Sequence, residues 1–113
     1  MNELLSKKCI PCEGDMPALT MSETEKYLAQ LTGWMYSIKN KTISKEYTFK
    51  GFADAMAFAN QIAVLAEEEG HHPDLLVSWG KVRVELSTHA IHGLSENDFI
   101  LAAKIDELKS AVL

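Results

Sequence analysis

The chain has 113 residues, 47% of them hydrophobic, 24% charged and 8% aromatic, which fits one compact globular domain that needs no disulfide or metal staple. Eleven Lys and Arg against sixteen Asp and Glu leave a formal charge of −5, which argues against nucleic acid as a ligand. The longest apolar runs are five residues, as in Ile62 to Ala66 and Phe99 to Ala103, far short of the ~20 needed to span a membrane, so no membrane partner is expected.

Residues 1–20 hold Cys9, Cys12, Pro11, Pro17 and Gly14 without apolar periodicity, which predicts an irregular N-terminal arm over residues 1–21 ahead of a single domain over 22–113. Glu3 comes early and no apolar stretch precedes Lys7 and Lys8, unlike a secretory leader, so a cytoplasmic protein is expected. Cys9 and Cys12 have redox spacing but neither follow a strand nor open a helix, and two such cysteines make no disulfide framework.

Ser22-Glu23-Thr24-Glu25 fits a capping box, with Tyr27, Leu28 and Leu31 on one face of the helix that follows and Gly33 placed to end it. From Trp34 the period becomes two, through Tyr36 and Ile38, and after Asn40-Lys41 the segment Thr42 to Phe49 is rich in β-formers, which predicts a hairpin. Phe52, Met56, Ala59, Ile62, Ala63 and Ala66 mark a long amphipathic helix finishing through Glu67-Glu68-Glu69 at Gly70. Three glutamates in the last turn oppose the helix dipole, a local cost of the kind that sometimes marks function.

His71-His72-Pro73-Asp74 reads as a tight connection, because proline keeps the residue before it out of helical geometry. Leu75 to Trp79 and Val82 to Thr88 predict a second hairpin around Gly80-Lys81, with Val82, Val84 and Leu86 on one face and Arg83, Glu85, Ser87 and His89 on the other. Ser95-Glu96-Asn97-Asp98 is an S-x-x-D capping box opening a final helix with Phe99, Ala102, Ala103, Ile105, Asp106 and Leu108. The order α-β-β-α-β-β-α implies an α+β fold, a four-stranded antiparallel sheet with three helices packed on one face. The other face stays bare, to be solvated or to serve a site or an interface.

All four histidines fall between positions 71 and 92, and imidazole is the side chain that takes and gives protons near neutrality. Antiparallel pairing of the last two strands brings the start of the third, beside His71 and His72, near the end of the fourth at His89. A metal site is disfavoured, because adjacent His71 and His72 do not turn easily to one ion and Gly93 interrupts any helix carrying His89 and His92. Asp98 serves as a helix cap and equally well as a carboxylate that orients a neighbouring imidazole.

Glu67, His71-His72-Pro73, Trp79, His89 and Asp98, seven positions across 32 residues, resemble in type and spacing the signature of the pterin-4a-carbinolamine dehydratases. The resemblance extends through Phe49-Lys50-Gly51-Phe52, Ser87-Thr88-His89 and Gly93-Leu94-Ser95, covering most of the chain from about Ser22 onward. It implies dehydration of a 4a-hydroxytetrahydropterin to the quinonoid dihydropterin, the step that recycles the cofactor of aromatic amino-acid hydroxylases, without a cofactor or metal of its own. By the same resemblance His71, His72, His89 and Asp98 are the catalytic residues, and Glu67, Gly70, Ser87, Thr88 and Ala90 line the pterin pocket. Ala90 stands where relatives often carry an acidic residue, so a side-chain contact is lost there; Asn97 stands where some carry arginine, which weakens any anion site at the helix start.

Elimination of water from a carbon bearing both hydroxyl and ring nitrogen needs one proton delivered and one removed, work that paired imidazoles perform. On this reading His71 and His89 act as acid and base on opposite sides of the ring and His72 positions the pterin. Asp98 orients an imidazole and Glu67 meets the amino-pyrimidine edge. The alternative class is a non-catalytic dimerisation or binding module of the same fold. Unblunted sheet edges and the resemblance together lead to an expected homodimer or homotetramer, with functional coupling to a hydroxylase.

Overall fold

A computed structural model of the chain describes residues 3–10 and 16–112, with side chains through Lys109; Cys12, Pro11 and Gly14 lie outside the described residues. The helices are α1 (Met21–Leu28), α2 (Phe52–Glu69) and α3 (Glu96–Val112), and the strands are β1 (Met35–Ser37), β2 (Thr42–Thr48), β3 (Asp74–Ser78) and β4 (Lys81–Leu86). The strands form one antiparallel sheet in the order β1-β2-β4-β3, so the expected α+β fold is the observed one.

Ile43, Tyr47, Val82, Val84 and Leu86 project from the central strands into the core, where Phe58, Ile62, Phe99, Leu101 and Ile105 of α2 and α3 meet them. The opposite face carries Ser44, Glu46, Arg83 and Glu85, with Arg83 Nε donating to Glu85 at 3.1 Å, and near the edges Met35 and Leu76 stand exposed. No helix among the described residues is long and apolar enough to cross a membrane.

The second hairpin turns through Trp79-Gly80, since Ser78 pairs with Lys81, one residue earlier than expected. Gly80 has φ +71, which L side chains rarely adopt, and a Cβ there would stand a tight 3.0 Å from the Phe49 carbonyl oxygen. In the first hairpin Lys41 takes the left-handed conformation (φ 56), so β1 ends at Ser37 and Ile38 leaves the sheet, 67% exposed.

The helices depart from the sequence expectation in instructive ways. Helix α1 is capped by Thr20, not Ser22: Glu23 N–H donates to Thr20 Oγ1 at 3.1 Å, and Thr20 N–H donates to Glu23 Oε1 at 2.9 Å. Both S/T-x-x-E patterns were available, and the one chosen lies next to Leu19, whose N–H is tied to the Leu94 carbonyl at 2.9 Å. The helix closes at Ala29, short of Gly33. In α2 the buried stripe is Ala55, Phe58, Ala59, Ile62 and Ala66, while Phe52, Met56 and Ala63 face outward. Phe58 decides the rotation, because its ring lies 4.9 Å from that of Tyr47 and 5.2 Å from that of Phe49.

Within the expected irregular arm, residues 7–10 carry no helix or strand, but the start is built into the fold. Glu3–Ser6 form a 3-10 turn whose Leu4 is 1% exposed and belongs to the main core, docked against α3.

Candidate active site

Helix α2 ends because Gly70 enters the left-handed region (φ 67), its N–H donating to the Ala66 carbonyl at 2.9 Å. His71, His72 and Pro73 then run without helix or strand structure into β3. Successive side chains along extended backbone point to opposite sides, and the two imidazoles part accordingly. The His71 side chain is 11% exposed and turns inward to Asp98, Nε2 to Oδ1 2.6 Å. His72, 58% exposed, turns outward to Glu67, Nε2 to Oε2 2.5 Å.

Asp98 is fully buried near the start of α3. Besides His71 it accepts Thr88 Oγ1–H at 2.8 Å and the Ser95 N–H at 3.0 Å, both through Oδ2. The second bond is half of the expected capping box. Ser95 Oγ also lies 2.7 Å from Thr88 Oγ1. Thr88 gives its single proton to Asp98, so Ser95 donates to Thr88, and the chain Ser95–Thr88–Asp98–His71 is satisfied from end to end. A buried carboxylate with this many partners holds its imidazole in one orientation, with Nε2 engaged by Asp98.

Thr88 is placed by a loop the sequence reading assigned to strand. Strand β4 stops at Leu86, Thr88 pairs with Gly93 in an isolated bridge, and His89–Ile91 form a 3-10 turn closed by His92 at φ 53. His89 therefore projects from a turn rather than from the polar face of a strand. Its ring has no hydrogen bond to any described residue, and it is exposed between two clefts. One, of about 280 Å³, is lined by Gly70, His71, His72, Ser87, Thr88, His89, Ala90, Asn97 and Ile10. The other, of about 300 Å³, shares Ser87, Thr88 and His89 and continues past Asp74, Lys41 and His92.

The structure thus brings together His71, His72, His89, Gly70, Ser87, Thr88 and Ala90 around one cleft, with Asp98 behind His71. Glu67 is not part of the lining and reaches the site only through His72. The Thr88 hydroxyl is spent on Asp98 and Ser95. Sequence reasoning did not assign Asn97 or Ile10 to the cleft, nor Ser95 to anything beyond capping. Asn97 was signalled only by its place beside Asp98, and Ile10 by nothing in its own pattern.

Glu69 explains how the glutamate-rich end of α2 is tolerated. Its carboxylate accepts the Cys9 N–H at 2.9 Å and the Lys104 ammonium at 2.8 Å. Burial alone would raise its pKa, but those two donors outweigh it and hold the carboxyl below its ordinary value. Burial, reinforced by Glu69, pushes the Cys9 thiol up to about 12, so it is protonated at neutral pH and poorly suited to act as a thiolate nucleophile.

Comparison with known proteins places the chain in a family. Residues 17–108 match the family model described as pterin 4 alpha carbinolamine dehydratase. A relative from Alkaliphilus metalliredigens, provisionally named a pterin-4-alpha-carbinolamine dehydratase, is 48% identical over 97% of this chain and 99% of its own. A crystal structure from Brucella melitensis, described as a transcriptional coactivator/pterin dehydratase, superposes with a TM-score of 0.76 at 34% identity, covering 80% of this chain and 97% of that one. A pterin dehydratase-like protein described as a RuBisCO assembly factor of the alpha-carboxysome matches at TM-score 0.59 and 28% identity, over 67% of this chain and 88% of its own. The chain belongs to the pterin carbinolamine dehydratase family.

Proposed function

We propose that this chain dehydrates a 4a-hydroxytetrahydropterin to the quinonoid dihydropterin by histidine acid–base catalysis, as a cytoplasmic enzyme recycling the cofactor of an aromatic amino-acid hydroxylase. The observation that carries the reading is the buried Asp98–His71 pair opening onto a cleft that His72 and His89 also line. His71, its Nε2–H fixed by Asp98, exchanges a proton through Nδ1. His89, unrestrained, serves the partner proton, so that one imidazole protonates the leaving hydroxyl while the other takes the proton from ring nitrogen. His72 and Glu67 act as one unit at the rim that holds the amino-pyrimidine edge. The acid–base work requires no metal, and turnover is expected to survive exhaustive chelation.

Conversion of synthetic 4a-hydroxytetrahydropterin, followed by the absorbance of the quinonoid product against the spontaneous rate, tests the proposal. A chain that leaves the spontaneous rate unchanged refutes it. That outcome would favour the second reading, a binding or assembly module, which draws on the open sheet face and on the assembly role stated for the carboxysome relative. Either reading is compatible with a homodimer or homotetramer formed through the sheet edges β1 and β3. Light scattering that returned the monomer mass of 12.6 kDa would remove the oligomer.

A further inference from the structure

We propose that the N-terminal segment builds one wall of the substrate cleft, and that Ile10 is the side chain that packs on the flat face of the bound heterocycle. The inference rests on the dehydratase reading of the same cleft. A pterin presents hydrogen-bonding edges and an apolar face, and a site for it needs an aliphatic or aromatic surface as well as polar groups. Among the described residues lining the cleft, the polar groups are His71, His72, Ser87, Thr88, His89 and Asn97. Gly70 and Ala90 offer little area, and Ile10 is the one large aliphatic side chain.

Ile10 is 62% exposed, yet it is not there through fraying. Its N–H donates to Asn97 Oδ1 at 3.0 Å and its carbonyl accepts Asn97 Nδ2–H at 2.5 Å, a two-point clamp like one rung of a β-ladder. The preceding residue is held in turn by the Cys9 N–H bond to Glu69, itself fixed by Lys104. Asn97 is 4% exposed and adjoins Asp98, while Glu69 lies two residues before His71. The wall is therefore anchored on the two helix ends that carry the proton-transfer pair, and an isoleucine is held in water at the mouth of an otherwise polar cleft. The family model begins at residue 17, so this wall lies outside the region that model matches, although the Alkaliphilus metalliredigens relative aligns over 97% of the chain.

The test uses the full-length chain, with steady-state turnover of 4a-hydroxytetrahydropterin and, independently, fluorescence titration with a stable dihydropterin. Ile10→Ala and Ile10→Asn are expected to raise KM and the dihydropterin Kd about 5–10-fold with kcat within about twofold, from the lost apolar contact. Ile10→Leu restores both, and Lys8→Ala, on the same segment, leaves both unchanged. Unaltered KM and Kd in the alanine and asparagine variants would overturn the proposal. So would a rise that leucine fails to rescue and that tracks a lower unfolding midpoint, since Ile10 would then be structural. Wild-type protein that binds dihydropterin without turnover defeats the dehydratase reading while the Kd comparison still judges Ile10; no binding and no turnover defeats both.

Discussion

Two aspartates of α3, Asp98 and Asp106, sit eight residues apart, about 12 Å along the helix axis at 1.5 Å per residue, and each accepts three hydrogen bonds. Asp106 takes Trp34 Nε1–H at 3.0 Å, Lys45 Nζ–H at 2.8 Å and the Tyr47 hydroxyl. Burial, reinforced by Asp106, pushes the Tyr47 phenol well above its usual range, so it remains a donor. All three donors belong to the first hairpin or the residue leading into it, and none lines the cleft that holds His71. Asp98 differs in its surroundings: two of its partners, His71 and Thr88, line a cleft, and one of them is an imidazole. The same acceptor chemistry on one helix ties down the first hairpin at Asp106 and, on the proposed function, orients a catalytic imidazole beside open space at Asp98.

The largest expected effect comes from emptying the Asp98 side of the comparison. The double variant His71→Ala with His89→Ala should lose turnover by far more than either single change, since each general acid or base contributes about 10²–10⁴-fold and one partly substitutes for the other. Circular dichroism should remain native, and a double variant with wild-type turnover would take the histidines out of the mechanism.

Asp98→Asn keeps the shape and weakens the hold on His71. Its kcat should fall about 10²-fold. Asp106→Ala, by contrast, should lower stability by about 1–3 kcal/mol in urea unfolding, from donors left without their acceptor, with kcat unchanged. Equal losses of kcat in the two variants would erase the distinction drawn between the aspartates.

The smallest effect concerns a third carboxylate, Glu69, structural like Asp106 but close to the cleft. Its pKa is lowered from the ordinary value of 4.5. A carboxyl whose folded pKa lies below its unfolded one adds stability that is complete above the unfolded value and disappears as pH falls through the folded one. Glu69→Gln should therefore be less stable than wild type at neutral pH, with the gap closing as pH drops below about 4.5. A gap that stayed constant with pH would show that the ionised form of Glu69 contributes nothing.

Much of this was legible in the residues themselves. The switch of period at Trp34, the turn residues and the histidine spacing placed every helix and strand within a few positions, and the spacing of Glu67, His71, His72, His89 and Asp98 carried the family resemblance. What was misplaced shares one feature. Ser22 and Thr20 both fit a capping box, two overlapping stripes of α2 are both apolar, and Thr88 is as good a strand residue as a loop residue. Local propensity separates such alternatives by little more than thermal energy.

By itself, then, the sequence determined the element types, their order, the sheet's inward face and the clustering of the histidines, because period, turn chemistry and spacing are local properties. Only the tertiary structure decided that Thr20 caps α1, that Phe58 sets the rotation of α2, that Glu67 faces His72 at the rim, and that Leu4 and Ile10 join the core and the cleft. Apart from the Glu67–His72 pair, these depend on partners elsewhere in the chain, among them the Leu94 carbonyl, the Tyr47 and Phe49 rings, and the Asn97 amide. Contacts between distant segments choose among locally near-equal options, and no local pattern records that choice.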